Sequence, residues 1–255
     1  MKILPKKNFK PLKKYWKSLL SNKRSRIVRP LYLFYDLFLK QYGRKYYSQF
    51  GEDIALEHLF GEKVGGFYVD IGCFHPKHWS NTYLLHKRHW KGLNIDLDEQ
   101  KIQAFNFARK NSVNICTAIS EEEKEMDVYL KNTFSPLNTL EKEFAEEAES
   151  ILKKPVEYTV QRIKTRTLNS ILMERGYGGR EIDLLSIDVE GHELSVLKSL
   201  NFEEYRPKVL VVELHAKKIE HILESDLYRF VRAKHYVLHS WHQPSLIFVK
   251  NSNPN

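Results

Sequence analysis

Only two cysteines, Cys73 and Cys116, occur in 255 residues, and both fall in or beside apolar, strand-like runs. A free thiol in that setting acts as a small hydrophobe. Neither a disulfide framework nor a thiolate zinc site is therefore expected, and a reducing cytosol is the favoured compartment. No apolar run approaches the roughly 20 residues that span a bilayer. The one stretch resembling the core of a secretory leader, "LYLFYDLFL" at 31–39, starts late, contains Asp36 and lacks a small-residue cleavage site. Glycine is missing where a phosphate-binding loop needs it: in "FYVDIGCFHP" (67–76), Gly72 is followed by Cys73, Phe74, His75 and Pro76. Acids are scarce before Tyr46, where fourteen Lys and Arg face Asp36 alone, a balance of +13.

The rest of the chain holds 27 basic and 31 acidic residues, a balance of −4, so the net charge of +9 belongs to the N-terminal segment. That basic arm, residues 1–45, interleaves its charges with Phe9, Leu12, Tyr15, Trp16, Leu19 and Leu20, which lie close to one helical face. Three readings fit it: a solvated tail, an anchor on an anionic membrane surface, where the apolar side chains bury and the lysines meet lipid phosphates, or, less favoured, a grip on nucleic acid.

Beyond the arm, at 42% hydrophobic overall, the chain can bury a sizeable core, and one α/β domain over 46–255 is expected. "EDIALEHLF" (52–60) has helical spacing. Strands are read at "GFYVDIG", "KGLNIDLD", "VNICTAIS" (113–120), "EIDLLSIDVEG" and "PKVLVVELH", with helices at "SNTYLLHKRH", "EQKIQAFNFARKN" and "HELSVLKSL" between them. "MDVYL" and "EYTVQRIKTRTLNSILMERG" read as extra strands followed by a helix, and "YVLHSWHQPSLIFVK" as a closing hairpin. Short apolar runs alternating with helices make βαβ units around a mostly parallel sheet.

Ligands of such sheets bind beyond the carboxyl ends of the strands, and in this chain acids follow the apolar runs: Asp70, then Asp96 and Asp98, then Asp188 and Glu190, then Glu213 with His215; Ser120 follows the third run. A carboxylate after the second strand can accept both hydroxyl protons of a ribose. A dinucleotide or phosphate site needs several backbone amides against an anion. S-adenosylmethionine (SAM) carries a sulfonium and no phosphate, so a turn with one glycine suits it better.

The separated motifs "SQFGED" (48–53), "YVDIGCFHP" with "SNT" (80–82), "GLNIDLD" (92–98), "TRTLNSIL" (165–172), "IDVEGHE" (187–193) and "LIFVK" (246–250) together resemble the FkbM-type SAM-dependent methyltransferases over residues 46 to 250. The resemblance implies a class I methyltransferase, Rossmann-like sheet with helices on both faces, and transfer of a methyl group to a hydroxyl oxygen, often on a sugar. It assigns the cofactor to Asp70, Gly72 and Asp96, to Gln49 and Glu52 ahead of the sheet, to Ser80, Asn81 and Thr82, and to Ser120. It sets Asp188 and Glu190 facing the transferred methyl; with His215 these form the expected catalytic group, His192 and His75 being reserves.

Glu213 and His215 equally fit a buried ion pair at a strand end. A hard divalent cation held by Asp188, Glu190, Glu213 or His215 also fits, since oxygen ligands with one imidazole suit Mg²⁺ or Mn²⁺, but it is the less favoured expectation and no metal ligand is assigned. Residues 129–162 form an insertion, with "NTFSPLNTL" and an acidic helix, read as a lid whose Asn132, Thr133, Ser135, Asn138 and Thr139 bond acceptor hydroxyls while Phe134 stacks on a sugar face. The acceptor is thus expected to be a glycan, glycolipid or polysaccharide, and the protein cytoplasmic or peripheral on the inner face of the membrane. RNA 2′-O-methylation and a silent nucleoside-binding scaffold are the alternatives.

Overall fold

The computed structural model describes residues 28–40, 43, 45–132, 134–146 and 156–251. Most of the basic arm, Thr133 and the middle of the insertion lie outside these residues. The chain divides into two compact units, 1–45 and 46–255. In the first, α1 (Val28–Phe34) runs on as a π-helical turn over Tyr35–Leu39, and Leu31, Phe34, Leu37 and Phe38 stay exposed. No helix among the described residues is long and apolar enough to cross a membrane.

The second unit is built on a seven-stranded sheet. Its strands are β1 (Phe67–Ile71), β2 (Lys91–Asp96), β3 (Val113–Cys116), β6 (Leu184–Ile187), β7 (Val209–Glu213), β8 (Tyr236–His242) and β9 (Ser245–Lys250). They lie in the order β3-β2-β1-β6-β7-β9-β8, parallel except for the β8–β9 hairpin, which joins antiparallel through β9. Strands β4 (Glu125–Leu130) and β5 (Thr159–Lys164) form a separate antiparallel pair at the root of the insertion.

Alternation along each strand sorts the core into two faces. Phe67, Val69 and Ile71 of β1 point with Leu185, Ile187, Leu210 and Val212 to one side. There they meet α5 (Leu168–Glu174), α6 (Glu193–Lys198) and α8 (Asp226–Ala233) through Ile171, Val196 and Val231. Tyr68, Leu184, Val209 and Val211 point to the other, against Leu56 of α2 (Glu52–Phe60) and Leu85 of α3 (Tyr83–Lys87). Helices therefore cover both faces, and the fully buried β1 is apolar at every position but Asp70. Strand neighbours also fix one glycine: Tyr68 pairs in register with Gly92, and a Cβ on Gly92 would meet the Tyr68 ring at 2.1 Å.

Three sequence expectations need correction. The third strand ends at Cys116, because residues 117–120 leave the sheet and Ile119 bridges to Arg166 instead. The "SNT" residues precede α3 rather than forming its first turn. Helices α7 (Ile219–Glu224) and α8, which connect β7 to β8 in the chain, were not anticipated; Ser225 caps α8 by accepting from Tyr228 N.

Candidate active site

The strand order reverses beside β1, whose two neighbours are β2 and β6, and a crevice at that point is the usual ligand position in an open α/β sheet. A cavity of about 730 Å³ opens there, walled by the carboxyl ends of β1, β2, β6 and β7 and by the insertion. The space suits a nucleoside-sized cofactor together with part of an acceptor.

Helix α4 (Glu99–Ala108) starts at the end of β2, and its cap organises the first side of the cavity. Asp96 accepts from Phe74 N at 3.1 Å and Asp98 N at 2.9 Å, and Lys101 Nζ stands 3.5 Å away. Burial raises the Asp96 carboxyl above its ordinary value, with Lys101 opposing. Asp98 caps α4 by accepting from Gln100 N, and its other oxygen accepts from Phe134 N, tying the insertion to this side of the cavity. Lys101 is 5% exposed and also lies 5.2 Å from the Phe74 ring. Sequence reasoning missed it, since a lysine beside Ile102 in an amphipathic helix reads as solvated.

Gly72, expected as a cofactor glycine, also meets a packing demand. With φ +73°, it packs so closely on β6 that a Cβ would stand 1.6 Å from the Asp188 carbonyl oxygen. It is needed where two strand ends meet, and it lines the cavity as a consequence.

On the opposite side, Asp188, Glu190, Glu213 and His215 all reach the wall. Glu190 adopts φ +55°, costly for a residue with a side chain, and Thr139 of the insertion fixes it by donating to its carbonyl at 2.8 Å. His215 Nε2 lies 3.6 Å from Glu190 Oε2 and 3.7 Å from Glu213 Oε1. Burial first, then Asp188, lifts Glu190 to about 7. The same two causes push Glu213 far above the carboxylate range, while the Glu190 carboxylate raises the His215 imidazole. Glu193, at the start of α6, is buried and lifted to about 7, but accepts from Val189 N and Gly191 N, both at 3.1 Å.

Of the residues assigned from sequence, Gln49, Gly72, Asp96, Asp188, Glu190 and His215 stand in the cavity wall. The others are held behind it. Asp70 accepts from Thr82 Oγ1 at 2.6 Å, and burial lifts its carboxyl to about 6. Thr82, Ser80, the Tyr68 hydroxyl and the Pro76 carbonyl accept from Arg109, a wholly buried guanidinium. Asn81 donates to Ser186 at 3.2 Å. Glu52 accepts from Phe50 N and Ser245 Oγ, fastening the segment before the sheet to the hairpin. Ser120 pairs with His192 Nε2 at 3.0 Å, and His192 Nδ1 meets Glu141 of the insertion. His75 accepts from Lys77 N and His78 N, so both reserve histidines shape loops.

The insertion lines the cavity, though its polar groups are used differently from the expectation. Ser135 accepts from Leu137 N, Asn138 accepts from Lys131 N and donates to Asn132 O, and Thr139 holds Glu190. A turn-rich segment must satisfy its own backbone, and these side chains do so. Of the insertion's residues in the cavity wall, Pro136, Leu137, Leu140 and Phe144 are apolar, and Asn138 stands among them.

The seven-stranded sheet with its one antiparallel hairpin, flanked by helices on both faces, and the acid-lined cavity at its strand ends together define a methyltransferase of Rossmann-like fold. The family model of the methyltransferase FkbM domain matches residues 66–238, and the chain belongs to that family. No curated protein matches the chain.

Proposed function

We propose that the protein transfers a methyl group from SAM to a hydroxyl of a sugar in a glycan, glycolipid or polysaccharide. The observation that carries this reading is the make-up of the cavity wall, where four acids, Asp96, Asp188, Glu190 and Glu213, outnumber Lys101 and Lys217. A wall rich in acids, with no cluster of cations or backbone amides aimed at an anion among the described residues, accommodates a sulfonium better than a phosphate, which favours SAM over a nucleotide and a sugar over a nucleic-acid acceptor. Asp96 is the group for the ribose hydroxyls. In-line displacement requires the acceptor oxygen about 3 Å from the methyl carbon, opposite the departing sulfur. A sugar hydroxyl is a poor nucleophile until its proton leaves, and Asp188, Glu190 and His215 are the polar groups around the acceptor, with the Asp188 carboxylate able to take that proton.

A sugar is favoured by the aromatic rim. Trp79, 43% exposed, stacks on Phe74 at 5.6 Å between ring centroids and also borders a second hollow of about 370 Å³ that includes Tyr46 and Tyr47. Flat apolar faces beside polar groups suit the C–H face of a pyranose, and two adjoining hollows suit an oligosaccharide. The deciding measurement is SAM consumption on extracted cell-envelope glycans, followed by mass spectrometry of the product. A 14-dalton gain on a sugar is expected; methylation of RNA alone would reject the reading.

The basic arm belongs to the same proposal as a contact with anionic lipid, supported by its charge of +13 and the exposed apolar side chains of α1. Full-length protein should sediment with anionic vesicles and be released by salt. Indifference to vesicles at low salt would remove this part.

A further inference from the structure

Glu190, Glu213 and His215 each bring one ligand atom to within 4.8 Å of the others. The His215 separations of 3.6 and 3.7 Å exceed ordinary hydrogen-bond lengths. They are close to the edges of a coordination polyhedron: ligands about 2.1 Å from a shared ion stand roughly 3.0 Å apart in an octahedron and roughly 3.4 Å apart in a tetrahedron. The two His215 separations exceed the tetrahedral edge by about 0.2 to 0.3 Å and the octahedral edge by about 0.6 to 0.7 Å, so side-chain adjustment, including closure of the Glu190–Glu213 pair, would seat an ion.

Glu213 supplies the independent observation. The residue is 6% exposed, and its Oε2 is buried with no hydrogen-bond partner among the described residues. A buried carboxyl oxygen without a partner is costly to keep, and the groups around the side chain are other acids: Asp188, close enough to share a proton with it, Glu190 and Glu193. Backbone geometry points the same way, since Thr139 holds Glu190 in its left-handed conformation while the Glu190 carboxylate faces His215. Two carboxylates and one imidazole match a hard or borderline divalent ion.

We propose that Glu190, Glu213 and His215 bind one divalent cation of the Mn²⁺ or Mg²⁺ type, with its remaining coordination positions open to the cavity. Its role rests on the methyl-transfer reading above. An acceptor hydroxyl on the cation is acidified and oriented. Its proton passes to the Asp188 carboxylate as the O–C bond forms and the C–S bond breaks, and the sulfonium leaves as a neutral thioether.

The site is tested on full-length protein without cofactor or acceptor, by titrating Mn²⁺ with electron paramagnetic resonance. One equivalent should bind, displaceable by excess Mg²⁺, with echo modulation from a ligating imidazole nitrogen. Glu213→Gln, nearly isosteric, should weaken binding at least tenfold. His215→Ala, at a half-exposed position, should abolish the nitrogen signature. Asp96→Ala should leave Mn²⁺ binding unchanged, because that carboxylate lies on the other side of the cavity. Absence of stoichiometric binding, or equal binding by the wild type, Glu213→Gln and His215→Ala, would overturn the site and leave Glu213 as an acid that shares a proton with Asp188. Since no methyl transfer is read, such a failure is distinct from failure to methylate a glycan.

Discussion

The two sides of the cavity treat their acids in opposite ways. At the ends of β1 and β2, Asp70, Asp96 and Asp98 accept hydrogen bonds from hydroxyls and backbone amides, with Lys101 and Arg109 close by. At the ends of β6 and β7, Glu190 and Glu213 crowd one another and His215 at distances too long for good hydrogen bonds. A saturated carboxylate is fixed before any ligand arrives and serves as a template. An unsaturated one carries an energetic cost until something binds, and that cost is the mark of a place kept for chemistry. The same polarity separates Arg109 from His215: the first has its donors satisfied from several loops, the second is half in solvent.

The largest effect should come from breaking the saturated side at its centre. Arg109→Leu removes the donors to Ser80, Thr82 and Pro76 and leaves Asp70 buried without its cation, so urea unfolding should show a loss of about 3 to 5 kcal/mol. A loss below about 1 kcal/mol would mean that the network is incidental. Next come two substitutions that should separate the sides functionally. Glu190→Gln should lower turnover about a hundredfold while SAM affinity stays nearly unchanged. Asp96→Ala should weaken SAM binding ten- to a hundredfold, roughly 1.5 to 3 kcal/mol by calorimetry. If both variants lost affinity and turnover in equal measure, the division of labour would be wrong.

The smallest effect concerns pH. The Asp70 carboxyl titrates near 6 in the folded chain against 3.8 for the free group. Between those values the folded chain holds a proton that the unfolded chain has released, so stability falls as pH rises from about 4 to about 6 and the penalty is complete above that. Asp70→Asn keeps an acceptor for Thr82 and should be more stable than wild type by roughly 1 to 2 kcal/mol at pH 7, with the difference vanishing near pH 4. A difference independent of pH would show that Asp70 is not the titrating group.

Much of this contrast was legible in the sequence, because parallel strands are apolar runs and whatever follows such a run stands at the ligand end of the sheet. Asp96, Asp188, Glu190 and His215 were found by that rule, and Gly72 with them. What it cannot supply is the partner of each acid. Arg109 closes "NFAR" at a helix end and looks solvated, yet it reaches Ser80 and Thr82 across 29 and 27 positions of chain. That long-range bond is why the "SNT" residues stand behind the wall. In the insertion the sequence did not show a local demand: Ser135, Asn138 and Thr139 satisfy a tight, irregular backbone, while the segment itself lines the cavity. Helix α8 had a readable start in Ser225 followed by Asp226, a capping residue and a first-turn acid.

The β8–β9 hairpin carries a consequence for how the protein is made. Strand β9 is the neighbour of β7 on the side away from β6, pairing Ser245 with Glu213, and Gln243 and Pro244 complete the cavity wall. A ribosome delivers these residues after every other strand of the sheet, at about 5 to 20 per second. Until they emerge, β7 presents a bare strand edge directly beside Glu213, and the nascent chain has neither a closed sheet nor a finished cavity. Maturation of the fold and of its chemistry is one event, completed by the final fifteen residues of the sheet, 236–250.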